Sequence, residues 1–179
     1  PNQSNLLFSY YFIKNSQESI WEVKSALTSL LISLDLDTQK LLSNMELCVS
    51  LKILRLEFSR KGLLLGIMCL PSKLNHLELV ITNEIEEIMP KEFSSSGFLK
   101  ALSKCPGIRN FKIKVEKIMK LEMRNQFYVL IFQHLPRELR RFEDFSDNSN
   151  PSPSIGYYNE LSQFKKLDYL TMKFPTKLP

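Results

Sequence analysis

Glycine, histidine and cysteine are all scarce in this chain. Five glycines in 179 residues leave no segment able to form a glycine-rich phosphate loop, and no serine stands in a G-x-S-x-G elbow. The two histidines, His76 and His134, lie far apart and give no paired metal ligands at helical spacing. Three cysteines, Cys48, Cys69 and Cys105, are too few and too widely spaced for a disulfide framework or a zinc site. They point to a reducing, intracellular compartment, cytoplasm or nucleus. Long apolar runs are missing too. The longest, LLFSYYFI from Leu6 and FYVLIF from Phe127, fall well short of the ~20 residues that cross a bilayer, so no membrane span is expected.

What the chain does have is the balance of a folded protein, 44% hydrophobic and 24% charged residues. Its net charge of +5 is unevenly placed: residues 1–89 hold 8 Lys/Arg against 10 Asp/Glu, and residues 90–179 hold 16 against 9. An asymmetry of this kind marks a basic half suited to an acidic or nucleic-acid partner. The basic excess gathers between Lys91 and Arg141, with Lys100, Lys104, Arg109, Lys117, Lys120, Arg124, Arg137, Arg140 and Arg141 on expected helices or connecting loops. Two readings stay open for them: a solvated convex face, or a docking patch for RNA or an acidic protein.

The stretch CPGIRNFKIKV, Cys105 to Val115, places its apolar residues as I-x-x-F-x-I-x-V. The same spacing returns as Leu51, Leu54, Leu56, Phe58, as Leu74, Leu77, Leu79, Ile81, and as Leu167, Leu170, Met172, Phe174. Shorter or blurred copies are Leu31, Leu34, Leu36, then Leu139 with Phe142, and Leu7, Tyr10, Phe12 near the start. Such a pattern suits a short strand that sends alternate residues inward after a first apolar residue has closed the turn leading into it.

Over nearly its whole length the chain therefore resembles the leucine-rich-repeat family, with its L-x-x-L-x-L signature, although the usual Asn after the strand is missing. Cys48 and Cys105 stand three residues before the anchors Leu51 and Ile108, which is similar to the cysteine-containing repeats of many F-box substrate adaptors. The resemblance implies an α/β solenoid, a horseshoe-like arc with a parallel sheet on its concave face and helices on its convex face. Residues 1–179 are expected to form one such domain of about six to seven irregular repeats, part of a longer chain.

Helical patterns fall between the strands: SIWEVKSALTSLL, LLSNMELC, SGFLKALSKC, NQFYVLIFQHL and YYNELSQF. Ser16, Ser96 and Asn159 are the expected helix starts, and Pro71, Pro106 and Pro136 the stops. SDNSNPSPSIG has the composition of an exposed loop. Trp21 sits in an amphipathic pattern with Ile20, Val23, Leu27 and Leu30 that suits a core.

Residues between the apolar strand positions face the other side and align in rows. One row is Asp35, Arg55, Glu78, Lys112, Glu143 and Thr171, alternating in sign, and it reads either as a structural ladder or as a recognition surface. The next is Asp37, Glu57, Val80, Lys114 and Lys173, acidic at one end and basic at the other. Tyr11 is a further candidate contact on this face. A thiol–imidazole pair of Cys105 with His134 has nothing to orient it, and Cys48 and Cys105 are expected in the core. No enzyme, cofactor or small-molecule substrate is expected. The expectation is a protein-binding scaffold in a larger assembly, with an RNA-binding subunit of a ribonucleoprotein or a ubiquitin-ligase substrate adaptor as alternatives.

Overall fold

The computed structural model describes residues 29–34, 49–58, 67–81, 90–115, 121–146 and 155–172. Six strands appear there: β1 Ser29–Leu34, β2 Ile53–Phe58, β3 His76–Ile81, β4 Asn110–Val115, β5 Arg141–Asp144 and β6 Tyr169–Met172. They form one sheet in chain order, every neighbouring pair parallel. Four helices lie between them: α1 Pro90–Ser94, α2 Gly97–Ser103, α3 Leu121–His134 and α4 Ile155–Leu161. The protein is thus α/β, with connections that return each strand beside its predecessor.

The apolar spacing found in the sequence explains the alternation. Leu54, Leu77, Phe111 and Phe142 are paired neighbours in the sheet and all are buried, as are Leu56, Leu79 and Ile113 one position further along the same face. The anchors Leu51, Leu74, Ile108 and Leu139 are fully buried ahead of their strands. Against this face pack Phe98, Leu99 and Leu102 of α2, Phe127, Ile131 and Phe132 of α3, and Tyr157 and Leu161 of α4, in one continuous core. Phe132 is its aromatic centre, edge-on to Phe142 at 5.1 Å, Tyr157 at 5.0 Å and Phe164 at 5.9 Å. Fully burying a side chain of this size is worth about 1.5–3 kcal/mol, and edge-to-face pairs add to that.

Every strand after β2 is entered in the same way. The amides of Leu74, Ile108, Leu139 and Leu167 donate to the carbonyls of Pro71, Cys105, Pro136 and Phe164, three residues back. One carbonyl then accepts two successive amides of the next strand entry. Lys52 O takes Asn75 N and His76 N; Asn75 O takes Arg109 N and Asn110 N; Arg109 O takes Arg140 N and Arg141 N; Arg140 O takes Asp168 N and Tyr169 N, all at 2.8–3.0 Å. Pro106 and Pro136 follow the ends of α2 and α3 without sacrificing a ladder donor, whereas residues 67–70 ahead of Pro71 are not helical, so the helix stop expected at Pro71 is not seen among the described residues.

Three expectations need correcting. The first strand pairs Leu30, Ile32 and Leu34 with Leu54, Leu56 and Phe58, so the copy anchored at Leu31 is slipped by four residues. The backbone picks the register that sets three apolar residues beside three. The anchor at Leu31 would have set Thr38 against Phe58. Residues 29–31 consequently belong to a strand and not to the end of a helix. Finally, α4 begins at Ile155, four residues before Asn159, so Ile155 and Gly156 are helical and not loop. Ser96 does cap α2, its hydroxyl accepting from Leu99 N at 3.5 Å.

Candidate functional site

The face of the sheet opposite the core carries three rows of side chains whose spacing the parallel register sets. Arg55, Glu78, Lys112, Glu143 and Thr171 are successive Cα partners, as the sequence rows anticipated. Asp35 is not in this row: Leu31 pairs with Arg55, and Ser33 with Glu57, where Asp35 and Asp37 were expected. The four-residue slip is the cause, since it moves both aspartates past the end of β1. Tyr11, Asp35, Asp37 and Lys173, and Lys117 and Lys120 of the basic group, lie outside the described residues.

Glu78 is the centre of the row. Its Oε1 stands 3.3 Å from Lys112 Nζ and 3.7 Å from Arg55 Nε, and its side chain is only 14% exposed against 42% for Arg55. Strands ~4.8 Å apart place these groups close enough to pair laterally, which holds three long side chains in one arrangement. Lys112 also lies over the Phe145 ring at 5.0 Å, so its ammonium is held from a second side. Glu143 accepts from Arg141 Nε two residues before it, and the Arg141 guanidinium lies 4.1 Å above the ring of Tyr169 on the next strand.

In the next row Glu57, Val80 and Lys114 are paired neighbours, followed by Phe145, whose amide extends the ladder by donating to Ile113 O at 2.9 Å. Val80 is buried although alternation turns it away from the core. The row at the strand starts reads Ile53, His76, Asn110, Arg141 and Tyr169. Burial holds the His76 imidazole below its ordinary pKa, helped by Lys112 and Arg141 and opposed by Glu78 and Glu143. This row, apart from Arg141, was not singled out from sequence. Its residues sit immediately before the inward apolar positions, and that offset was the signal.

The basic residues divide. Lys100 is exposed on α2, and Arg124 lies on α3. Lys104, Arg109, Arg137, Arg140 and Arg141 instead collect where chains enter the strands, at one edge of the sheet. Arg109 is fixed there by donating to Pro106 O at 2.7 Å, and Arg137 lies over the Phe164 ring at 5.6 Å. Lys52, Lys73, Lys165 and Lys166 join them at the same edge, which sequence clustering alone concealed because they come from loops far apart in the chain. Glu138 accepts from Lys166 Nζ at 2.5 Å, and that bond lowers its pKa.

Cys105 is buried in the core at 1% exposure, its thiol directed at Pro71 O at 3.6 Å, while Cys48 lies outside the described residues. Burial pushes the Cys105 pKa up to about 11, the opposite of what a nucleophilic thiol needs. His134 bonds Leu130 O through Nδ1 at 2.8 Å, within its own helix. Among the described residues no three His, Cys, Asp or Glu side chains converge as a metal site, and no helix is long and apolar enough to cross a membrane. Comparison with protein families and with curated proteins finds no match to this chain.

Proposed function

We propose that the chain is an irregular leucine-rich-repeat solenoid acting as a non-catalytic scaffold, which binds a protein partner in a larger intracellular assembly. The observation that carries this reading is the strand entry repeated four times with one hydrogen-bonding scheme, because it sets the outward side chains in rows of constant spacing. A surface whose side chains are already held by lateral ion pairs loses little freedom when a partner docks. The row Arg55, Glu78, Lys112, with Glu57 and Lys114 beside it, is the recognition surface. Its mixed signs suit a protein with complementary charges and offer a uniform polyanion no continuous line of cations.

The test is an affinity capture from native extract, with Lys112→Glu/Lys114→Glu as the altered bait. A defined protein retained at high salt by the parent chain and lost by this variant supports the scaffold. Capture that is indifferent to the pair, with the variant still folded, refutes it.

A further inference from the structure

We infer that the strand-entry edge of the sheet binds a single-stranded nucleic acid, its phosphates along a row of cations and one base against Tyr169. This stands apart from the scaffold reading, which uses the outward rows of Arg55, Glu78, Lys112 and of Glu57, Lys114, and not the row at the strand starts that holds Arg141 and Tyr169.

Five successive entry loops each bring a cation to this edge: Lys52, Arg109 and Arg140 at equivalent positions, where the β3 and β6 entries have Asn75 and Asp168, and Lys73 and Lys165 two and three residues earlier in their loops. All are exposed except Arg109, which is half-buried and pinned by its bond to Pro106 O. The shared entry scheme stacks the loops directly, since Arg109 O accepts the amides of Arg140 and Arg141. Arg109 and Arg140 are therefore like charges at adjacent strand entries, a repulsion that Glu138, which acts on both, offsets only in part because it also serves Lys166. Three residues further along β4, the sheet does the opposite: Lys112 has Glu78 on one neighbour and Glu143 on the other. The carboxylates at the edge, Glu138 and Asp168, are outnumbered, and Glu138 is already engaged by Lys166.

At the β6 end of this track Tyr169 is 46% exposed. Its orientation is fixed by the Arg141 guanidinium stacked 4.1 Å above it, and Arg141 is itself held by Glu143. A cationic track ending in a pre-set aromatic ring is the combination that takes single strands, whose phosphates need charge and whose unstacked bases need a flat face. An acidic peptide would use the cations but has no need of the ring. A duplex keeps its base faces covered.

The experiment is fluorescence anisotropy with an end-labelled oligouridylate of about 12 nucleotides, a length within the range such tracks hold. Between about 50 and 200 mM salt, the log–log slope of affinity is expected near −3, the value for about four phosphate contacts on a single strand. Arg109→Glu/Arg140→Glu, and independently the exposed pair Lys52→Glu/Lys165→Glu, each lower affinity at least about tenfold and flatten the slope. Tyr169→Ala lowers affinity about tenfold with the slope unchanged, and Tyr169→Phe restores it. A slope near zero, or binding that survives both charge reversals, overturns the inference. So does equal affinity for a polyglutamate of matched length or indifference to Tyr169→Ala, either of which would assign the edge to an acidic protein. None of these variants touches Lys112 or Lys114, so failure here leaves the scaffold test standing.

Discussion

A side chain on Gly107 would have to stand where the Leu74 carbonyl oxygen already is: a Cβ built there lies 2.9 Å from that oxygen. Gly107 is in the turn that enters β4, and Leu74 anchors the strand before it, so the contact sets how closely two successive entries stack. Backbone cannot swing aside as a flexible side chain would. Gly107→Ala is expected to destabilise by about 1–3 kcal/mol, the usual range for forced overpacking. Urea unfolding of the purified variant checks this, and a midpoint unchanged from the parent would mean that the entry gives way.

Glu78 serves two cations and is far less exposed than either, so losing it should hurt more than losing one of them. Glu78→Ala is expected to cost about 1 kcal/mol, the top of the range for accessible ion pairs, and Arg55→Ala a few tenths. Repeating the unfolding at about 1 M salt should shrink the gap between them, because screening acts on accessible charge. The reverse order of effects would place the stabilising contact elsewhere.

Asp144 occupies a position that the sheet otherwise fills with aliphatic residues: its Cα partner is Ile113, which in turn partners Leu79. It is nonetheless buried, and its Oδ1 accepts the Ser146 amide at 2.9 Å. Ser146 Oγ in turn accepts Val115 N at 2.8 Å and meets the Tyr128 hydroxyl at 2.9 Å. Asp144→Ile would restore the repeat pattern yet strand the Ser146 amide, and is expected to destabilise by about 1–3 kcal/mol. Asp144→Asn, which keeps an acceptor, should lose less. Thermal melting of both separates hydrogen bonding from hydropathy.

The Cys105 thiol, with its pKa pushed up from 9.0 to about 11, should resist alkylation at pH 8 while the less buried Cys69 reacts first. The folded state keeps the Cys105 proton to higher pH than the unfolded chain does. Its contribution to stability is thus fully present below about pH 9 and is lost as pH rises through about 11. Peptide-resolved mass spectrometry after timed labelling reads the first point, and unfolding midpoints across that alkaline window, compared with Cys105→Ala, read the second.

The apolar spacing was legible because inward strand positions are greasy wherever the core offers no polar partner. Leu54, Leu77 and Phe111 could therefore be aligned without coordinates, and with them Arg55, Glu78 and Lys112 one residue later. LTSLLISLDLD defeated the same logic because it holds two overlapping copies, four residues apart, and only pairing with β2 distinguishes them. Asp144 was hidden for a different reason. A carboxylate is acceptable in a core only where Ser146 and its partners supply donors, and those come from other elements. The basic edge was half legible: Arg137, Arg140 and Arg141 cluster in sequence, but Lys52 and Lys73 reach them only through the stacking of loops.

The carbonyls that each accept two amides belong to Lys52, Asn75, Arg109 and Arg140, and they meet partners 23, 34, 31 and 28 residues onward. The same joint closes whether the intervening chain is short or half as long again. Growth of the chain is thereby confined to its looping side, and the strand starts behave as graduations on a ruler whose pitch no insertion alters. Length could be gained or lost between repeats over generations without disturbing which side chains stand next to one another.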